Sequence, residues 1–184
     1  MEDLRKSDIQ VVDATFEDDW GIRTVRHKTW LATYPNVEHG ITVQDVESEF
    51  IADDTQEGKA AALEKHRPAY WDPTFKFVVA KDGDEVVGFL IGRRLEDVNR
   101  LLAIYVLPQY QGQGIGARLF EKGLGWFDPK KDILLNVVSY NTDAQEFYKK
   151  MEFEFTGKDA TDVHDALPTG KVLPETEMIR KTHI

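Results

Sequence analysis

The stretch YVLPQYQGQGIGARLF, from Tyr105 to Phe120, places Gly112, Gly114 and Gly116 between a strand-like run and a helix-like run. Glycine accepts positive φ angles and lets another group come close to the backbone. The first N–H groups of a helix lack partners within the helix, and the helix dipole adds positive charge there. A tight turn without a ligand is one interpretation, but three alternating glycines at such a junction favour a phosphate-binding turn.

Two well-known phosphate-binding patterns do not match this turn. A P-loop ends in Gly-Lys-Ser/Thr, whereas Gly116 is followed by Ala117 and Arg118. The Rossmann pattern is G-x-G-x-x-G, whereas the pattern here is G-x-G-x-G. A Rossmann turn also opens its domain, and this turn follows several strands of antiparallel appearance.

The surrounding pattern predicts one α+β domain over residues 1–184. Three helical patterns lie within residues 17–67, and the last is expected to end at Pro68. TFKFVVA and EVVGFLIGRRL predict a hairpin across KDGD, and RLLAIYVL predicts a third strand. A helix, a nearly continuous apolar strand, another helix and two closing strands complete residues 74–181.

Composition restricts the class of protein. The formal net charge of -10 disfavours nucleic acids and anionic membranes as partners. The absence of cysteine excludes disulfides and a cysteine nucleophile. No stretch resembles a signal peptide or the roughly 20 apolar residues of a membrane span, so we expect a cytoplasmic protein. The histidines lack the spacing of metal ligands, so we predict no metal site; they are His27, His39, His66, His164 and His183.

Residues 111–116 read Q-x-x-G-x-G, which resembles the pyrophosphate-binding turn of the GNAT superfamily of N-acetyltransferases. About 25 residues later, NTDAQEFYKKMEFEFTG resembles the second motif of that family, and ETEMIRK resembles its last strand. The resemblance covers roughly residues 75–181. It implies a mostly antiparallel mixed sheet that splays open at the central strand. Residues 17–67 would then be the variable region that frames the acceptor.

The resemblance implies an acetyl-CoA site without a metal. The pantetheine arm would pair with the central strand at Ile104, Tyr105 and Val106 in the manner of an added strand. Asn141 would bond to the same arm, although capping of the following helix is an alternative. The pyrophosphate would be held by the backbone N–H groups of Gln111, Gly112, Gln113, Gly114, Ile115, Gly116 and Ala117.

The resemblance also implies the chemistry. The Val106 N–H would stabilise the oxyanion, and Tyr148 would protonate the departing thiolate unless it is simply a core aromatic. Many family members carry a glutamate on the central strand as the base, but NRLLAIYV has none. Asp97, just upstream, is the tentative base acting through water; a solvated loop charge is the alternative.

We therefore expect an N-acetyltransferase that moves an acetyl group to a primary amine, small or peptidic, in a ternary complex. The alternatives are a non-catalytic acyl-CoA-binding module of the same fold and a dinucleotide-binding protein. Both a monomer and a homodimer are compatible with the sequence. An acidic surround favours a polyamine as acceptor; its members are Glu17, Asp18, Asp19, Glu38, Asp45, Glu47, Glu49, Asp53, Asp54 and Glu57.

Overall fold

The structure is a computed structural model that describes residues 8–162 and 166–182. His164 and His183 lie outside the described residues. The described chain forms a sheet of seven strands with helices on both faces. The strands are β1 Gln10–Asp13, β2 Phe75–Asp82, β3 Glu85–Arg94, β4 Asn99–Val106, β5 Ile133–Val138, β6 Glu154–Asp159 and β7 Glu175–Arg180. The helices are α1 Asp19–Thr33, α2 Val43–Glu47, α3 Gln56–Trp71, α4 Ile115–Leu124 and α5 Thr142–Lys150.

The strands follow the order β1-β2-β3-β4-β5-β7-β6, and every neighbouring pair is antiparallel except β4 and β5. The parallel pairing of β4 with β5 is limited to Asn99 with Ile133 and Arg100 with Leu134. Beyond these pairs the two strands diverge. The predicted α+β fold with a mixed sheet that opens at the central strand is thus confirmed.

The two faces of the sheet carry different helices. Leu90 of β3 meets Gly123 of α4 on one face. The next residue back, Phe89, points to the other face and packs against Tyr105, whose hydroxyl meets Tyr34 at the end of α1. Helices α1, α2 and α3 precede the hairpin of β2 and β3, as the sequence predicted. No helix in the described part of the chain is long and apolar enough to cross a membrane.

The prediction that Pro68 ends the third helix is wrong, because α3 continues to Trp71 with Pro68 inside it. Proline removes one helical hydrogen bond and crowds the preceding turn. Tertiary contacts hold the last turn in place despite this cost. The Tyr70 ring stacks on Phe77 with 4.2 Å between centroids, and its hydroxyl donates to Asp19 at 2.9 Å.

Candidate active site

A cleft of about 770 Å³ occupies the space that opens between β4 and β5. One wall is the edge of β4 from Leu101 to Val106, and the other includes Asn136 and Val137 of β5. The glycine-rich turn before α4 and the first residues of α5 close one end of it. The end of α1, including Thr29 and Tyr34, reaches the cleft from the opposite face of the sheet. The cleft is therefore open to both faces of the sheet.

The free edge of β4 presents backbone groups to this cleft. The Leu107 N–H donates to the Val87 carbonyl of β3 at 2.9 Å. Because bonding alternates along an antiparallel pair, Ile104 and Val106 direct their N–H and C=O groups away from β3. The Val106 carbonyl accepts a hydrogen bond of 2.9 Å from the Gln111 side chain on that side. The Val106 N–H consequently points into the cleft.

The three glycines of the turn meet two different needs. Gly112 and Gly114 have φ angles of +74° and +78°, a left-handed conformation that other residues rarely adopt. Gly114 is also the N-cap residue of α4. Gly116 instead allows close packing, because a β-carbon there would lie 3.2 Å from the Phe147 ring of α5. Backbone conformation thus requires the first two glycines, and helix packing requires the third.

The N-terminus of α4 supplies N–H donors to the cleft. The first bond within the helix runs from the Arg118 N–H to the Gly114 carbonyl at 3.1 Å. The N–H groups of Ile115, Gly116 and Ala117 come before this bond and have no partner within the helix. All three residues line the cleft, as do Gly112 and Gly114. The helix dipole directs partial positive charge to the same place, which suits an anion.

Two glutamines predicted in this turn have other contacts. The Gln111 N–H donates to the Pro108 carbonyl at 3.2 Å, so it is already used inside the turn. The Gln111 side chain braces the turn against Val106. The Gln113 side chain bonds to the Gln109 carbonyl at 3.3 Å, and Gln113 does not line the cleft. The Gln111 N–H is thus engaged within the turn, and contact of the Gln113 N–H with phosphate stays a prediction.

Tyr148 of α5 lines the cleft and is also part of the core, with 8% of its surface exposed. Its ring contacts Phe147 and Phe153 edge-on, at centroid distances of 5.4 and 5.7 Å. Burial, together with the neighbouring Tyr105, raises the pKa of Tyr148 far above the ordinary tyrosine value. The phenol therefore stays protonated at neutral pH, which is the form that can donate a proton.

Asn141 is placed to serve both of the roles considered for it, capping of α5 and contact with a ligand in the cleft. Its side-chain oxygen accepts a hydrogen bond of 3.1 Å from the Ala144 N–H and so caps α5. Asn141 lines the cleft as well. The capping bond uses the oxygen, and the amide nitrogen is the group that can donate to a ligand.

The structure does not bring Asp97 to the cleft. This residue is exposed in the turn between β3 and β4, outside the set of cleft-lining residues. The extended strand from Asn99 to Val106 spans about 23 Å, so it holds Asp97 far from the Val106 N–H. The tentative assignment of Asp97 as a water-linked base is therefore not supported.

The ten acidic residues predicted to surround the acceptor do not line the cleft. Asp53 pairs with Arg23 of α1, Asp18 pairs with Lys81 of β2, and a carboxylate oxygen of Glu47 lies 2.9 Å from the His27 ring. Asp45 belongs to the capping box of α2, and its hydrogen bonds with Thr42 lower the pKa of this carboxyl to about 2. The contacts of these four carboxylates thus lie away from the cleft.

The sequence analysis missed a pair of tyrosine side chains at the cleft. The hydroxyls of Tyr34 and Tyr105 lie 2.8 Å apart, and both residues line the cleft. Alternation along β4 could have placed the Tyr105 side chain opposite Ile104 and Val106. No sequence signal pairs it with Tyr34, which precedes it by 71 residues.

The profile of the acetyltransferase (GNAT) family matches residues 43–153, which is more than half of the chain. The chain therefore belongs to the acetyltransferase (GNAT) family. It is 36% identical over 88 residues to the peptidyl-lysine N-acetyltransferase YjaB of Salmonella typhimurium, a match covering 47% of this chain and 54% of that protein. The YjaB protein of Escherichia coli is 30% identical over a match of the same length. The chain thus spans about half the length of the curated relatives it matches.

Solved structures share the fold across nearly the whole chain. The PaiA N-acetyltransferase of Thermoplasma acidophilum, solved in complex with coenzyme A, has a TM-score of 0.67 at 19% identity. That alignment covers 94% of this chain and 98% of PaiA. The apo form of Escherichia coli YjaB has a TM-score of 0.57 at 21% identity, with 95% of this chain and 99% of YjaB covered. At these identities the likeness concerns the fold.

Proposed function

We propose that this protein transfers an acetyl group from acetyl-CoA to a primary amine by direct attack in a ternary complex. The observation that carries the proposal is the free edge of β4, which directs the Val106 N–H into a cleft lined by Tyr148. Family membership and the coenzyme A complex of PaiA support the same function.

Acetyl-CoA fits the cleft in two places. Its pantetheine amides resemble a peptide and can pair with the N–H and C=O groups of Ile104, which point away from β3. Its pyrophosphate is an anion suited to the N–H groups of Ile115, Gly116 and Ala117. The Asn141 amide nitrogen is a further donor to the arm. No residue in this account needs a metal ion.

The reaction then requires few protein groups. The amine nitrogen attacks the acetyl carbon, a C–N bond forms, and the carbonyl oxygen takes up negative charge. The Val106 N–H stabilises this oxyanion. As the C–S bond breaks, Tyr148 gives its proton to the sulfur of coenzyme A. The amine loses a proton to solvent, and Tyr148 is reprotonated from solvent.

For the acceptor we propose the side-chain amine of a peptidyl lysine. The names of the YjaB relatives support this choice. The earlier expectation, a polyamine, depended on ten acidic residues, and none of them lines the cleft. Both acceptors are primary amines, so an assay must compare them directly.

The test is acetyl-CoA-dependent release of free thiol with matched acceptors at equal concentration. The panel contains a lysine peptide, the same peptide with Nε-acetyl-lysine, and spermidine. We expect turnover with the lysine peptide that is absent with its acetylated counterpart. Turnover with spermidine alone would show that the acceptor is a polyamine and not a peptidyl lysine. Acetyl-CoA binding without thiol release for any amine would favour the non-catalytic acyl-CoA-binding module.

A further inference from the structure

The Tyr34–Tyr105 hydroxyl pair lies beside the proposed reaction centre on the face of the sheet that carries α1. Tyr105 directly precedes Val106, whose N–H is the proposed oxyanion donor. Tyr148 reaches the same opening from the other face. The two hydroxyls, 2.8 Å apart, therefore stand on the side of the cleft opposite the N-terminus of α4.

The pair is held firmly in place. The Tyr140 hydroxyl donates to the Tyr34 carbonyl at 2.7 Å, and the Tyr34 N–H donates to the Trp30 carbonyl at 2.9 Å. The Trp30 ring meets the Tyr34 ring edge-on at 5.1 Å. Tyr105 packs on Phe89 at 5.5 Å. Only 6% of Tyr34 is exposed, so its hydroxyl is positioned before any ligand binds.

The hydrogen-bonding capacity of the pair favours a ligand rich in donors. Two hydroxyls carry two donors and four lone pairs, and their mutual bond uses one of each. One donor and three lone pairs remain. A primary amine or ammonium offers two or three N–H groups, whereas a carboxylate offers none. Burial, followed by the neighbouring Tyr105 and Glu175, raises the pKa of Tyr34, so this hydroxyl is neutral at physiological pH.

We infer that the paired hydroxyls of Tyr34 and Tyr105 form the subsite that receives the acceptor amine. They accept hydrogen bonds from its N–H groups and leave its lone pair directed at the acetyl carbon beside Val106. This inference rests on the proposed function, since it assigns the acceptor side of the same cleft. The pair selects donor-rich amines and disfavours carboxylate-bearing groups at this point.

The experiment compares Tyr105→Phe and Tyr34→Phe with the matched control Tyr70→Phe. All three remove one hydroxyl and keep the ring, and the Tyr70 hydroxyl bonds to Asp19 outside the cleft. Binding of Nα-acetyl-lysine amide to the coenzyme A-saturated protein is measured by NMR titration. We expect about tenfold weaker amine binding in each cleft variant, the size of one lost hydrogen bond. Coenzyme A affinity should stay within about twofold of the wild type in all three.

A second measurement uses the wild-type protein alone, in case a variant folds poorly. The ring-carbon signals of Tyr34 and Tyr105, labelled with carbon-13, should shift on addition of the amine while the Tyr70 signal does not. Unchanged signals, or unchanged amine affinity in both cleft variants, would overturn the subsite. Amine binding that depends on both tyrosines without any thiol release would uphold the subsite and refute the proposed catalysis.

Discussion

Single residues around the cleft combine packing with ligand contact. The Val106 side chain is buried in the core while its N–H faces the cleft. Asn141 caps α5 with its oxygen and keeps its amide nitrogen for another partner. Tyr148 contributes its ring to the core and its hydroxyl to the cleft. Because the two tasks use different atoms of one residue, a substitution can separate them.

Tyr148→Phe makes this separation for the proposed acid. The ring contacts with Phe147 and Phe153 remain, so we expect little change in stability. Loss of general-acid catalysis should lower kcat by about 10²–10⁴-fold and leave KM for acetyl-CoA nearly unchanged. Steady-state kinetics at saturating amine measure both quantities. If this variant and the Tyr70→Phe control both keep the wild-type kcat, Tyr148 contributes to packing and not to proton transfer.

The sequence allowed some of these residues to be predicted and concealed others. The placement of Val106, Gly114 and Tyr148 at the cleft could be predicted, because these residues belong to local motifs whose spacing along the chain fixes their positions. The contact between Tyr34 and Tyr105 could not be predicted, because it depends on how α1 crosses the sheet. The assignment of Asp97 failed for a related reason: closeness in sequence to β4 does not mean closeness to the end of β4 where the cleft lies.

At the scale of elements, α4 must lie close to the sheet if its N-terminus is to face the cleft. Gly123 allows this approach, because a β-carbon there would lie 2.9 Å from both terminal methyls of Leu90. A β-carbon at Gly88 of β3 would likewise lie 3.3 Å from a terminal methyl of Leu119 in the same helix. The sequence predicted α4 correctly from its periodicity. It did not predict the extension of α3 through Pro68, because stacking of Tyr70 on Phe77 stabilises that turn.

Gly123→Ala tests this close contact. Alanine favours a helix by about 1 kcal/mol over glycine, but overpacking a core costs about 1–3 kcal/mol. Leu90 is fully buried and has little room to move. We therefore expect a net loss of about 1 kcal/mol in the free energy of unfolding, measured by urea denaturation. The control is Gly125→Ala, whose β-carbon would lie 3.7 Å from the nearest backbone oxygen. Equal stability of the two variants would contradict the packing argument.

At the scale of the whole molecule, the opening between β4 and β5 joins the two faces of the sheet. The helix donors lie on one side of this opening and the hydroxyl pair on the other. Buried phenols occur at this opening and beneath α3, and they stay neutral because burial disfavours the phenolate. Tyr34, Tyr70 and Tyr148 all have a raised pKa, in each case mainly through burial.

These buried phenols predict a loss of stability at alkaline pH. Unfolding restores the ordinary tyrosine pKa of about 10, so above that pH the unfolded chain binds fewer protons than the native protein. The contribution of each phenol is therefore intact below pH of about 10 and declines as pH rises toward its native pKa. Each buried tyrosine should lower the free energy of unfolding by about 1.4 kcal/mol per pH unit in that range.

Urea denaturation between pH 9 and 11, with phenolate absorbance followed alongside, measures this slope. Tyr148→Phe should reduce the slope by about half a proton at pH 10 and by nearly one proton at pH 11. Lysine deprotonation contributes equally to both proteins and cancels in this comparison. An identical slope in the variant and the wild type would show that Tyr148 ionises freely in the folded protein.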